Sequence, residues 1–110
     1  MCSICGGSKF NDTAFRVFNS AKDRGRDYSN IFYRNNSWIC NHRAVPTTEV
    51  TNAEFNQPFG TDYKIVHNGT IANDKELGNP PGMIDSYILS KVLDFSNIDA
   101  LQKSLLKVKG

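Results

Sequence analysis

The sequence predicts a small α+β domain, because strand-like and helix-like patterns follow one another along a chain of 110 residues. Aromatic and β-branched residues flank the turn formers Asn35 and Asn36, which indicates an antiparallel hairpin. Apolar residues recur at helical spacing behind capping residues near both ends of the chain. With 39% hydrophobic residues at this length, a single domain spanning residues 1–110 is expected.

Each element is placed by a local pattern. Gly6 and Gly7 break a short first strand, Asn11 or Asp12 caps the first helix, and Gly25 ends it. The predicted elements are a strand over residues 2–5, a helix over 12–24, hairpin strands over 28–33 and 37–42, a third strand over 63–67, a helical turn over 73–77, and helices over 83–93 and 98–108. Residues 46–60 are expected to form a long loop of functional character.

Charge and hydropathy exclude several classes of function. The 13 basic and 11 acidic residues are scattered and give a net charge of only +2, so no footprint for nucleic acid or an anionic membrane is present. The start of the sequence lacks the pattern of a secretory signal, and no apolar run reaches the length of a membrane span. A cytoplasmic protein is predicted.

Cys2 is a candidate nucleophile. Its small side chain permits removal of Met1, which would leave a thiol and a free α-amine on one residue. Because that amine has an ordinary pKa of about 7.7–8.0, it can accept the thiol proton and later return it to a leaving group. The alternative is that a Met-Cys start is accidental.

The segment around Asn68 and Gly69 is a candidate oxyanion hole. It follows a predicted strand, and a side-chain amide beside a glycine N–H offers two donors to one developing negative charge. Considered alone, Asn-Gly is more typical of a simple hairpin turn.

Five segments in order resemble the class II, N-terminal-nucleophile glutamine amidotransferases, such as asparagine synthetase, glucosamine-6-phosphate synthase and amidophosphoribosyltransferase. They are residues 1–6 (MCSICG), 24–27 (RGRD), 41–43 (NHR), 67–73 (HNGTIAN) with Glu76-Leu77, and Asp85. The resemblance implies the N-terminal half of a four-layer αββα sandwich that stops before its remaining strands. It therefore also implies a truncated domain that another chain could complete.

The same resemblance implies a glutaminase that hydrolyses L-glutamine to glutamate and passes ammonia to a synthetase domain or subunit. The implied catalytic residues are Cys2, Asn68 and Gly69, and the implied substrate-binding residues are Arg43, Val45, Thr47, Thr70 and Asp85. No metal or organic cofactor is expected. Residues 41–49 look most similar to amidotransferase domains joined to 7-deazaguanine-modifying synthetases.

Two other functions fit parts of the sequence. One is a non-catalytic glutamine-binding or regulatory fragment, because the missing strands could abolish activity. The other is a small zinc-binding module, because a set of four residues offers ligands of the kind zinc prefers: Cys2, Cys5, Cys40 and His42.

Overall fold

A computed structural model of the chain describes residues 2–45 and 56–110. The chain forms two compact units, the first comprising Met1–Pro58 with Val66–Asn68 and the second comprising Phe59–Ile65 with Gly69–Gly110. The elements are β1 (Ser3–Gly7), α1 (Asp12–Ala21), a 3-10 helix (Lys22–Arg24), β2 (Tyr28–Arg34), β3 (Ser37–Arg43), a second 3-10 helix (Asp85–Ile88), α2 (Leu89–Val92) and α3 (Ile98–Leu105).

These elements confirm the α+β class. The described residues hold one antiparallel sheet of three strands, in the order β1-β3-β2. The second sheet of the expected four-layer sandwich is absent from the described ranges, so the finer fold prediction is not confirmed. The described part of the chain also contains no helix that is both long and apolar enough to cross a bilayer, and the cytoplasmic location stays a prediction.

The β2–β3 hairpin forms where the sequence predicts it. Asn35 and Asn36 both have positive φ, 50° and 62°, which matches the turn that suits the right-handed twist of paired strands. β3 then pairs with β1 on its other side, so that Cys40 lies opposite both Cys5 and Ile31. The central position of β3 explains why its second half is the most deeply buried part of the first unit.

α1 packs on the sheet face that carries Trp38 and Cys40. Its cap is Asn11, whose side chain accepts the Ala14 N–H at 3.0 Å. Ala14 is buried in one core cluster with Trp38 and Cys40, and Phe18 packs against this cluster. Apolar spacing alone does not show which side chains are buried, because Phe15 and Val17 on the same helix remain exposed.

Gly25 ends the 3-10 helix that follows α1, and there the chain passes directly over β3. A Cβ at Gly25 would lie 2.1 Å from the His42 carbonyl oxygen and 2.7 Å from the Arg43 nitrogen. Both atoms belong to the backbone and cannot move aside, so only glycine fits. Two residues later the Asp27 N–H donates to the Arg43 carbonyl at 3.0 Å, which ties this crossing to the end of β3.

The second unit has its own small core of Ile71, Ile88 and Leu89. Two predictions are wrong here. Residues 63–67 form no strand but a single bridge between Phe59 and Ile65. Residues 83–93 form a 3-10 helix and then the four-residue α2 instead of one long helix, and Leu93 is already extended with ψ 128°.

α3 closes the second unit, and its cap is Asn97, whose side chain accepts the Ala100 N–H at 2.8 Å. The helix ends at Leu105, three residues before the predicted end at residue 108. Buried Ser104 accepts the Asp94 N–H at 3.0 Å, which holds the segment before the helix against its last turn. The residues after the helix are fixed by Asn73, which donates to the Lys107 carbonyl and accepts the Lys109 N–H.

Candidate functional site

The end of β3 concentrates buried polar side chains in the first unit. Asn41, His42 and Arg43 are 2%, 0% and 4% exposed, although all three are polar or charged. Burying a charged group costs free energy unless it is compensated, so such a cluster at the end of a strand is unusual. It marks the best candidate site among the described residues.

The backbone after Arg43 is held by Asp27. The Asp27 carboxylate accepts the Val45 N–H at 2.7 Å, and its own N–H donates to the Arg43 carbonyl. The Cys2 thiol lies 4.0 Å from the Ala44 carbonyl. The structure therefore brings Cys2 close to the segment that contains Arg43 and Val45, three of the residues singled out in the sequence.

A second group of reactive side chains, which includes His42, lies on the face of the sheet that packs on α1, opposite to the face of Arg43. The sulfur atoms of Cys5 and Cys40 are 2.7 Å apart, and His42 Nε2 lies 3.9 Å from Cys40 Sγ. Ser29 Oγ lies 2.7 Å from His42 Nδ1. Burial, together with the neighbouring Cys5, raises the pKa of the Cys40 thiol to about 12, so this thiol is protonated at neutral pH.

Cys5, Cys40 and His42 are the described group whose ligand atoms, all within 4.8 Å of one another, could hold a metal ion. Cys2 does not join them. It precedes Ser3, whose partner is His42, and side chains alternate between the faces of a sheet, which directs Cys2 away from Cys5. The four-ligand zinc module is therefore wrong as an arrangement, because its fourth ligand lies on the other face.

The remaining predicted site residues are placed as follows. Asn68 is exposed and belongs to the first unit, whereas Gly69 and Thr70 are exposed and belong to the second. Asp85 is half-buried in the second unit, and its carboxylate accepts the Ile71 N–H at 2.5 Å. Thr47 lies outside the described residues.

The sequence reasoning missed Gln57, which is buried and whose side-chain oxygen accepts the His67 N–H at 2.5 Å. This bond fixes the backbone directly before Asn68. The sequence reasoning also missed Asn79, whose side chain donates hydrogen bonds to the Asp74 carboxylate and to the Ile84 carbonyl. The neighbouring prolines hinted at an ordered turn around Asn79, but no local pattern distinguishes Gln57 from a surface glutamine.

Among known proteins, the chain is similar to enzymes that are named as synthases. The chain is 40% identical over 84 residues to the 7-cyano-7-deazaguanine synthase of Sulfolobus acidocaldarius and 42% identical over 84 residues to that of Saccharolobus solfataricus. It is 39% identical over 84 residues to 7-cyano-7-deazaguanine synthase 2 of Sulfurisphaera tokodaii. Each match covers 66% of this chain, and the chain spans only 18% of the length of these curated relatives.

No family model matches the chain. No solved structure matches it either.

These relatives correct the predicted function. All three are named as synthases that form 7-cyano-7-deazaguanine, so the predicted glutaminase and the class of N-terminal-nucleophile hydrolase are contradicted. The two alternatives, a glutamine-binding fragment and a zinc module, gain no support from them. The coarser prediction of an enzyme agrees with the relatives, and so does the deazaguanine connection drawn from residues 41–49. Binding of L-glutamine and of a partner chain stays a prediction.

Proposed function

We propose that this chain is one part of an enzyme that makes 7-cyano-7-deazaguanine. The observation that carries the proposal is the match to three synthases with the same printed name, at 39–42% identity. Identity at this level over 84 residues supports common ancestry, and with it a related task.

The chain would act together with further polypeptide. It corresponds to 18% of the length of the relatives, too little to make up the whole of such an enzyme. Within the described residues β1 and β2 each pair on one side only, and Ile4 on β1 is 44% exposed. Open sheet edges and exposed apolar side chains favour association with another surface. The same proposal includes further strands from that polypeptide, which would extend this sheet into a layered sandwich.

Within that assembly, the buried end of β3 is the part of the first unit best suited to contact a ligand. Arg43 presents a planar set of donors that is never neutral in proteins, which suits an anionic or carbonyl group. The positions to test are the described residues among those singled out in the sequence, now without a role in glutamine hydrolysis: Cys2, Arg43, Val45, Asn68, Gly69, Thr70 and Asp85.

The test is deletion of the reading frame in its source organism, with 7-cyano-7-deazaguanine quantified by mass spectrometry. The deletion should abolish the compound, and re-expression of the wild-type chain should restore it. Arg16→Lys, on the exposed side of α1, is the matched control and should also restore it. Unchanged levels of the compound in the deletion strain would overturn the proposed function.

Arg43→Lys tests the site separately. It keeps the positive charge but loses the planar set of donors, so it should fail to restore the compound while retaining the wild-type circular dichroism spectrum. Full restoration by Arg43→Lys would show that the end of β3 is not part of the site, and it would not affect the proposed function.

A further inference from the structure

Cys5 and Cys40 are directly opposite one another on neighbouring strands, and their side chains meet. Residues paired in an antiparallel ladder have Cα atoms about 4.5–5.5 Å apart, which lies within the range of about 4.4–6.8 Å that a disulfide spans. The two sulfur atoms are 2.7 Å apart, although both cysteines are free thiols in this structure. The backbone is therefore already arranged for a bond between them.

We propose that Cys5 and Cys40 form a reversible disulfide that locks the edge strand β1 to the central strand β3 when a peroxide reaches Cys5. The inference is independent of the proposed function, because it rests on the thiol pair and the strand register alone.

A disulfide fits this pair better than a metal ion. Two thiolates on a tetrahedral zinc ion, each about 2.3 Å from the metal, lie about 3.8 Å apart. Cys5 and Cys40 would have to separate by more than about 1 Å to reach that spacing, against the packing of Ala14 and Phe18 from α1. A disulfide needs a smaller movement in the opposite direction, to about 2.05 Å.

The two cysteines differ in access, which sets the order of the reaction. Cys5 is half-buried and open to a small oxidant, whereas Cys40 is 0% exposed. Peroxide would oxidise the Cys5 thiol to a sulfenic acid, with one oxygen atom transferred and one molecule of water or alcohol released. The Cys40 sulfur would then attack the Cys5 sulfur, and the sulfenic oxygen would leave as water. A dithiol reductant supplies the two electrons and two protons that break the disulfide and restore both thiols.

His42 can assist the second step. When its Nδ1 carries the proton and donates to Ser29 Oγ, its bare Nε2 faces the Cys40 thiol at 3.9 Å. That nitrogen can accept the proton that Cys40 loses as the new bond forms. Because the Cys40 thiol is buried away from water, the neighbouring His42 is the group that can accept its proton.

The experiment treats the purified chain with hydrogen peroxide and maps the product by proteolysis and mass spectrometry. Because Cys2 and Cys5 share one tryptic peptide, the key variant is Cys2→Ser, which leaves only Cys5 and Cys40 of the three cysteines. It should lose both thiols and two hydrogen atoms of mass, and dithiothreitol should restore them. Fragmentation of the linked wild-type peptide provides the same assignment if Cys2→Ser does not fold.

A second measurement follows the lock itself. In the oxidised chain, amide hydrogen exchange of the edge strand Ser3–Gly7 should slow by on the order of tenfold, and Cys5→Ser should abolish the change. Any of three results would overturn the proposal: a disulfide between Cys2 and Cys40, sulfinic acid at Cys5 with Cys40 still a thiol, or a stoichiometric metal ion that protects both thiols.

Discussion

Gly25→Ala tests the close crossing of the chain over β3. The built Cβ lies 2.1 Å from the His42 carbonyl oxygen and 2.3 Å from its carbon, far inside any ordinary contact. Overpacking a tight site costs about 1–3 kcal/mol, and here the neighbours are backbone atoms of a central strand that cannot rotate away. We therefore expect a loss at the upper end of that range, about 3 kcal/mol.

Urea unfolding followed by Trp38 fluorescence measures the loss. Trp38 is the single tryptophan and is 3% exposed in the core of the first unit, so its emission reports on that unit. With a denaturant slope of roughly 1–3 kcal/mol/M, a loss of about 3 kcal/mol lowers the midpoint by about 1–3 M.

Gly7→Ala is the matched control in the same unit. Its Cβ would meet Trp38 Nε1 at 3.0 Å, a side-chain atom that can shift by a few tenths of an ångström. We expect a loss of about 1 kcal/mol or less. If Gly25→Ala unfolds at the same urea concentration as Gly7→Ala, the chain does not cross β3 this closely and the reasoning fails.

Three further predictions concern the second unit. Ile88 is 1% exposed in the core, so Ile88→Ala should lower the free energy of unfolding by about 2–5 kcal/mol. The control Ile88→Val should lower it by about 0.5–1.5 kcal/mol, as measured by urea unfolding followed by circular dichroism. Equal losses in the two variants would contradict the place of Ile88 in the core. Asn97→Ala removes the cap of α3 and should cost about 1 kcal/mol in thermal unfolding, whereas an unchanged midpoint would contradict the cap. Hydrogen bonds from Ser96 lower the pKa of Asp94 below its ordinary 3.8, so their stabilisation is present above that value and lost as the pH falls through the lowered pKa. Ser96→Ala removes the hydroxyl donor and keeps the backbone N–H, so it should raise the Asp94 pKa in an NMR titration. An unchanged pKa would rule out the Ser96 hydroxyl as a cause of the shift.

Local chemistry made the first unit predictable. The cap at Asn11 and the turn at Asn35-Asn36 depend on residues close in sequence, and both form as expected. The order of the strands does not follow from such patterns, because β3 pairs with β1, a strand from the very start of the chain. The burial of Arg43 follows from that pairing, so local sequence patterns do not predict it either.

The second unit shows where periodicity misleads. Ile84, Ile88, Leu89 and Val92 have helical spacing, yet the chain forms a 3-10 helix before a short α-helix. The Asp85 carboxylate accepts the distant Ile71 N–H, and a contact of this kind is invisible in a window of a few residues. Tertiary hydrogen bonds therefore outweighed local propensity in this part of the chain.

The functional prediction was wrong for a related reason. Short segments around Cys2, Arg43 and Asn68 suggested a reaction, but a set of motifs specifies neither the acceptor nor the partner with which a chain works. The length of the relatives, of which this chain spans 18%, indicates how much of such an enzyme lies outside these motifs.

The most direct test of the proposed role isolates the tagged chain from its source organism and assays the isolated material for synthesis of 7-cyano-7-deazaguanine. We expect the activity to be enriched with the tagged wild-type chain and absent from a parallel isolation with an unrelated tagged protein. Isolation of the chain without any enrichment of that activity would contradict the proposed role.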